Sequence, residues 1–478
     1  MRHRWFLLSS LWLFALSHTS AVADDGTDEL LTWMDSRYEQ TAHAARSIWE
    51  FAELGYLEDK SSALLQGQLR DAGFAIERGV AGIPTSFIAS YGSKGPIIAI
   101  LAEFDALPGL NQDSVAHRSL IEGKHAAHGC GHNLFGAGSV SAAIAVKRWL
   151  ESTGRPGVIR LYGTPAEEGG SGKVYMVREG LFEDVDFAIH WHPGSSNNAD
   201  ARSSLANRSA KFRFHGRSAH ASGSPHKARS ALDGVEAFNH MVNLMREHVP
   251  QETRIHYVIT KGGLAPNVVP DFAEVFYYVR HPESETLKQL WTRVEAAAQG
   301  AAQGTGTQVE WEIIHGNHPL LPVEALSKAA HKHLTRVGGI TYDKEERQFA
   351  EQIYATLDSP RLALGSEQEI QPYQLKRGGG STDVGDVSMV VPTVRLSTAT
   401  YVPGTSSHSW QSAAAAGMSI GFKGAHNAAK AMTLTAIELY QNQALRTAAR
   451  NEFDERRGPN FKYEALLGDR EPPLDYRK

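Results

Sequence analysis

Apolar residues recur at helical spacing over 28–54, where Leu30, Leu31, Trp33, Met34 and Tyr38 mark one face and Gly55 offers a stop. Downstream the pattern changes. Short apolar runs of buried-strand type stand at 96–102 (PIIAILA), 158–162, 185–189 and 392–396 (PTVRL), separated by helical stretches such as the small-residue-rich 134–150. Strands that alternate with helices predict an α/β fold with a mainly parallel sheet.

The middle of the chain follows another rule. Residues 209–215 (SAKFRFH) alternate polar and apolar, as a half-exposed antiparallel strand does. A helix is predicted over 230–248, strands over 255–260, 273–279 and 308–314, and a helix near 284–299. This β-α-β-β-α-β order predicts a ferredoxin-like α+β sandwich inserted at about 206–316. The sequence therefore divides into 1–23, a catalytic part at 24–205, the insert, and a second catalytic part at 317–478 with a charged tail from about 450. The tail offers no chemistry in this reading.

Composition adds a compartment. Arg2 and Arg4, the mostly apolar run 5–16 and Ala21-Val22-Ala23 predict a cleaved secretory signal and a secreted or periplasmic protein. The run is short for a span of roughly 20 residues. Cleavage would take the formal charge from −5 to −7, and neither value argues for nucleic acid or for a membrane after cleavage. The chain holds a single cysteine, unusual after export unless it is buried or bound to metal.

That cysteine stands in His128-Gly129-Cys130-Gly131-His132, and thiolate with imidazole suits a metal ion. Other donors follow the apolar strands: Asp105 after the first, Glu167 and Glu168 after the second, His190 and His192 after the third, and His408 beyond the last. In open α/β sheets the ligand crevice lies outside the carboxyl ends of the strands, so these residues are expected to converge. The chemistry they suggest is metal-assisted hydrolysis, with one carboxylate holding metal and its neighbour moving the proton. Two blander readings stand beside it: an inert buried thiol, and a Glu-Glu pair in a solvated turn. A serine hydrolase is the remaining idea, from Gly417-Met418-Ser419-Ile420-Gly421, but a nucleophile elbow needs a preceding strand and here an alanine run precedes it.

The motifs EFDALPGL, HGCGHNLFGAG, PAEEGGSGK, HWHP, GRSAHASGSPH, APNVVPD and GTSSHSWQ together resemble the aminoacylase/carboxypeptidase G superfamily of metallopeptidases and amidohydrolases. STDVGDVS and the segment after it resemble its aminobenzoyl-glutamate branch; much of the superfamily has Ser-Glu-Asp-Phe in that place. The resemblance implies a zinc-peptidase-like catalytic domain whose insert serves as a lid and dimerisation domain, in a homodimer or heterodimer. It implies one or two divalent ions (zinc, manganese, cobalt or nickel) on Cys130, His132, Glu168, His190 and His408. Glu167 matches the general base, Asp105 a residue orienting His132, and His192 a neighbour outside the ligand set. His220 matches a histidine that reaches a partner's site to stabilise an oxyanion, and Asn267 and Arg280 match residues holding the substrate's carboxylate. The implied activity is cleavage of a small-molecule amide joining an acyl or aminobenzoyl group to an amino acid with a free carboxylate. A dipeptidase, an N-acyl-amino-acid hydrolase and a non-catalytic partner subunit are the alternatives.

Overall fold

A computed structural model describes residues 26–477; the predicted signal segment lies outside the described residues. The long strands are β1 (Ala75–Arg78), β2 (Phe87–Tyr91), β3 (Ile97–Ala102), β4 (Val158–Gly163), β5 (Phe187–Gly194), β6 (Ala206–His215), β7 (Arg254–Lys261), β8 (Phe272–His281), β9 (Gln308–Asn317) and β10 (Thr393–Ala399). Six form a large sheet in the order β1-β2-β4-β3-β5-β10. Strands β4, β3, β5 and β10 are parallel, and β1 and β2 add an antiparallel edge. The parallel strands read as continuous apolar runs because both their faces are covered.

Helix α1 (His132–Thr153) crosses one face of this sheet beside the late helix Ser419–Gln441. Gly138 permits the close approach: a Cβ there would stand 3.0 Å from the Ala425 carbonyl and 3.0 Å from the Trp191 ring. The helical pattern over 28–54 resolves into two helices, Thr27–Asp35 and Tyr38–Phe51. The Ser36 and Arg37 amides close the first by bonding back to Thr32 and Met34, so the chain can turn without losing the apolar face.

The other four strands form an antiparallel sheet, β7-β8-β6-β9, with helices Ala231–Met245 and Ser284–Thr305 packed on it. It has its own core, built around Phe212, Phe238, Tyr277 and Trp291. Among the described residues no helix is long and apolar enough to cross a membrane.

The charged tail is ordered. It begins as helix Gln443–Arg457, and the residues after it pack against both parts of the molecule. Leu466 is buried in the core of the small sheet, and Leu467 in a separate cluster with Tyr56, Ala166 and Tyr175.

Candidate active site at the carboxyl edge of the large sheet

Each parallel strand delivers side chains to one edge. Glu103 and Asp105 follow β3, Glu167 and Glu168 follow β4, and His190 and His192 lie within β5. Cys130 and His132 flank the start of α1. The residue between them, Gly131, has φ 75°, and a Cβ on it would meet the Tyr401 hydroxyl at 2.6 Å. Glycine is needed there for conformation and for space. His408 sits at φ 62°, its amide bonded to the Gly129 carbonyl at 2.9 Å.

The donors interlock. Asp105 Oδ1 holds His132 Nδ1 at 2.8 Å, and its Oδ2 accepts the Glu168 amide at 2.8 Å. His132 therefore presents Nε2, which lies 3.1 Å from Glu103 Oε2. Cys130 Sγ lies 3.4 Å from His192 Nε2, and His408 Nε2 lies 3.2 Å from Glu168 Oε1. Three donor groups result, each with its ligand atoms within 4.8 Å of one another: Cys130, His132 and His192; Cys130, Glu168 and His408; Glu103, His132 and Glu167. Cys130 and His132 are each shared between two groups.

These residues fit metal ions. His132 Nε2, Glu103 Oε2 and Glu168 Oε1 are buried and make no hydrogen bond, although a polar partner lies within 3.1–3.2 Å of each. Such pairs are misaligned for hydrogen bonding, yet their spacing suits two ligands on one ion, about 3.3 Å apart for bonds of about 2.0–2.1 Å. The Asp105–His132 bond is the outer support that ligating histidines normally have.

A buried lysine organises the acids. Lys173 is 0% exposed, with Nζ 2.7 Å from Glu103 Oε1 and 2.7 Å from Asp383 Oδ1. Burial alone would discharge it, but Asp383, Glu103 and Glu167 outweigh burial and hold its pKa above the usual lysine value. Burial, then the charges of Glu103 and Glu168, push Glu167 well above the usual carboxyl range. Glu167 makes no side-chain hydrogen bond among the described residues. Burial and the Glu168 charge raise the Cys130 thiol. Burial opposes charge on His132, yet Asp105, Cys130 and Glu103 raise it well above the ordinary histidine value.

The two histidines of β5 sit differently from the expected arrangement. His190 was expected among the ligands and His192 outside them. In the structure His192 stands with Cys130 and His132, whereas His190 is 2% exposed, joins no donor group, and has both ring nitrogens unpartnered. The reason is strand length: β5 runs on to Gly194, so His192 is nearer the carboxyl edge and His190 one pleat deeper.

The insert residues divide. Arg280 reaches the large sheet's side, where its guanidinium donates to Ser381 Oγ at 3.4 Å. His220 and Asn267 are exposed neighbours at the opposite end of the small sheet. Strand β8 separates that end from Arg280 by roughly 25 Å, at about 3.3 Å per residue. Ser419 begins a helix and donates to Glu346 Oε1 at 2.6 Å; no strand precedes it, so it forms no nucleophile elbow. Glu103, Lys173 and Asp383 escaped the sequence reading. The available signal was a charged residue one step beyond β3 and a lysine just after Glu167-Glu168.

Residues 99–369 match peptidase family M20/M25/M40. The chain is 40% identical over 438 residues to one of the subunits of the p-aminobenzoyl-glutamate hydrolase of Escherichia coli K12, covering 86% of this chain and 91% of that protein. It is 28% identical over 436 residues to the Xaa-Arg dipeptidase of Mus musculus, covering 88% and 90%. Among solved structures it resembles a dinuclear metal-binding peptidase of the M20 family from Bacillus subtilis, with TM-score 0.57 and 17% identity over 85% of this chain and 99% of that one.

Proposed function

The chain belongs to peptidase family M20/M25/M40 and is a metal-dependent amide-bond hydrolase; from that premise we propose that it cleaves p-aminobenzoyl-glutamate and similar N-acylated acidic amino acids. The observation that carries the reading is the paired carboxylate turn, Glu167 and Glu168, set against the Cys130, His132, His192 and His408 donors. Cys130, His132, Glu168, His192 and His408 would hold one or two ions, with zinc or manganese suited to this mixture of soft and hard donors. When bound, such an ion supplies Lewis acidity: it polarises the amide carbonyl and makes a water more acidic. Glu167 takes the water's proton and returns it to the leaving amine. Burial and the neighbouring carboxylates favour the protonated form of Glu167, the form that returns the proton to the leaving amine.

The acidic end of the substrate has a place to bind. A cavity of about 570 Å³ is lined by Arg202, Arg361 and Lys376, with Asp358 as its acidic side chain. Ser195 and Ser406 line it too, and they lie close in sequence to His192 and His408. Buried Asp200 pairs with Lys376 at 2.5 Å and lies 3.7 Å from Arg202, which leaves Arg361 as the cation of this cavity without an ion pair among the described residues. A basic substrate residue would meet it as like charge, which disfavours the Xaa-Arg dipeptidase reading. Comparing kcat/KM for p-aminobenzoyl-glutamate and p-aminobenzoyl-lysine tests this. We expect a preference of at least about 100-fold for the acid, equivalent to about 2.7 kcal/mol; equal rates or the reverse order refute it.

We further propose that the chain acts after export and as part of an oligomer. Support for the oligomer is the free edge of β7, where Tyr257, Val258 and Ile259 are exposed, and Leu264 beside it at 107% exposure. Exposed apolar edges of this kind are usually covered. His220 and Asn267 sit beside that edge, where they could reach a second subunit's site. The Escherichia coli relative is itself named as a subunit. The basic-apolar start of the sequence supports export.

A further inference from the structure

The Glu167–Glu168 turn is an improbable piece of backbone. It is flanked by Ala166 at φ 59° and Ser171 at φ 58°, conformations that L side chains rarely adopt. Such strain persists only where the surroundings over-determine it. Here four parts of the chain do so. The Ala166 amide donates to buried Glu58 at 2.8 Å, and the Glu168 amide to Asp105 at 2.8 Å. The Gly170 carbonyl accepts from the Tyr56 hydroxyl at 2.6 Å. The Gly169 carbonyl accepts from His315 Nε2, at the end of β9. The Glu168 carbonyl accepts from two residues of the tail, the Tyr476 hydroxyl at 3.2 Å and the Arg477 guanidinium at 2.5 Å.

The tail reaches that carbonyl by a fixed route. Tyr463 donates to Asp386 at 2.9 Å, and Arg208 on β6 donates to the Leu466 carbonyl at 2.7 Å. Arg470 donates to Glu312 on β9 at 3.1 Å, while its own carbonyl accepts from Arg178 at 2.7 Å. Tyr476 then packs edge-on against Tyr56, with ring centroids 5.5 Å apart. The segment thus ties the small sheet to the large one and ends on the backbone of the carboxylate turn.

We infer that the C-terminal tail is part of the active-site scaffold, with Tyr476 and Arg477 as positioning residues that hold the Glu167–Glu168 turn and so fix where both carboxylates stand. They act through the Glu168 carbonyl, the backbone group that both donate to. The inference rests on the roles given above to Glu167 and Glu168, and the test separates the two.

The test compares wild type with Arg477→Ala, Tyr476→Phe, the double variant, Arg477→Lys and a chain ending at Asp475. It reads kcat and KM on p-aminobenzoyl-glutamate, zinc affinity by chelator competition, and Tm. Outer supports of metal sites are commonly worth 10–100-fold in affinity or activity. The double variant and the shortened chain should lose about 10–100-fold in kcat and in zinc affinity, with KM changed by less than about threefold. Arg477→Lys, which keeps one donor, should recover most of the loss. Unchanged kcat and zinc affinity in the shortened chain would overturn the inference. So would parallel losses in kcat and Tm that Arg477→Lys fails to rescue, the mark of a merely structural tail. Glu167→Gln serves as the reference: if it keeps wild-type turnover, the assignment of the turn falls, whatever the tail variants do.

Discussion

The two sheets present their functional residues in opposite ways. The large sheet brings Cys130, His132, Glu167, Glu168, His192 and His408 together within one chain, because parallel strands end on one edge and each adds a donor there. The small sheet splits its set: Arg280 reaches Ser381 on the large side, while His220 and Asn267 remain exposed at the far end. Rigid strand ends complete a site locally; residues on the loops of a second sheet need another body to come to them. On the proposed reading, the donor groups are complete within the single chain, whereas the oxyanion role proposed for His220 would need a second subunit.

Disabling each sheet's contribution in turn probes this contrast most severely. Glu167→Gln should lower kcat by about 10³-fold or more while keeping its metal, since the residue serves both proton steps. His220→Ala should also be slow, but by losing a group given to another subunit. Mixing the two variants should restore activity if the chain forms a homodimer with shared sites. Mixtures no more active than their parts would place His220 outside the chemistry of such a dimer.

The second prediction separates the two histidines of β5. His192→Ala should weaken zinc binding by more than about 100-fold, exceeding the loss typical of an outer support. His190→Ala should change it by less than about threefold. Chelator competition on the purified variants measures both.

The smallest effect is in pH. Burial and the Glu168 charge raise the Cys130 thiol, and Asp105 and Glu103 raise His132 against its burial, so both groups favour their protonated forms. An ion must displace those protons, and its affinity should fall as pH falls, by about tenfold per pH unit for each proton released. Zinc titration in weak buffer with an indicator counts the protons. Affinity independent of pH would mean that the ligands are already deprotonated.

Much of the site was legible because its donors sit in short local patterns. Cys130-Gly131-His132 needs only one turn of backbone to present two ligands, and Glu167-Glu168 follows directly from an apolar strand. The parallel sheet was legible for the same reason: fully covered strands leave uninterrupted apolar runs. What escaped depends on distance in sequence. Lys173 meets Asp383 across 210 residues, and nothing in either neighbourhood announces the other. The packing of the tail was not legible either, because its charges resemble a solvated surface while its contacts are mostly with backbone carbonyls. The choice between His190 and His192 turned on where β5 ends, a boundary that apolar patterning leaves open by a few residues.

The most direct test is anomalous diffraction from crystals of the zinc-loaded protein, with data collected on either side of the zinc edge. The expected result is anomalous density bonded by Cys130 Sγ and His192 Nε2, with Glu168 and His408 on the same or an adjoining ion. Density bonded by His190 instead of His192, or lying away from Cys130, would contradict a metal centre built at the end of β5.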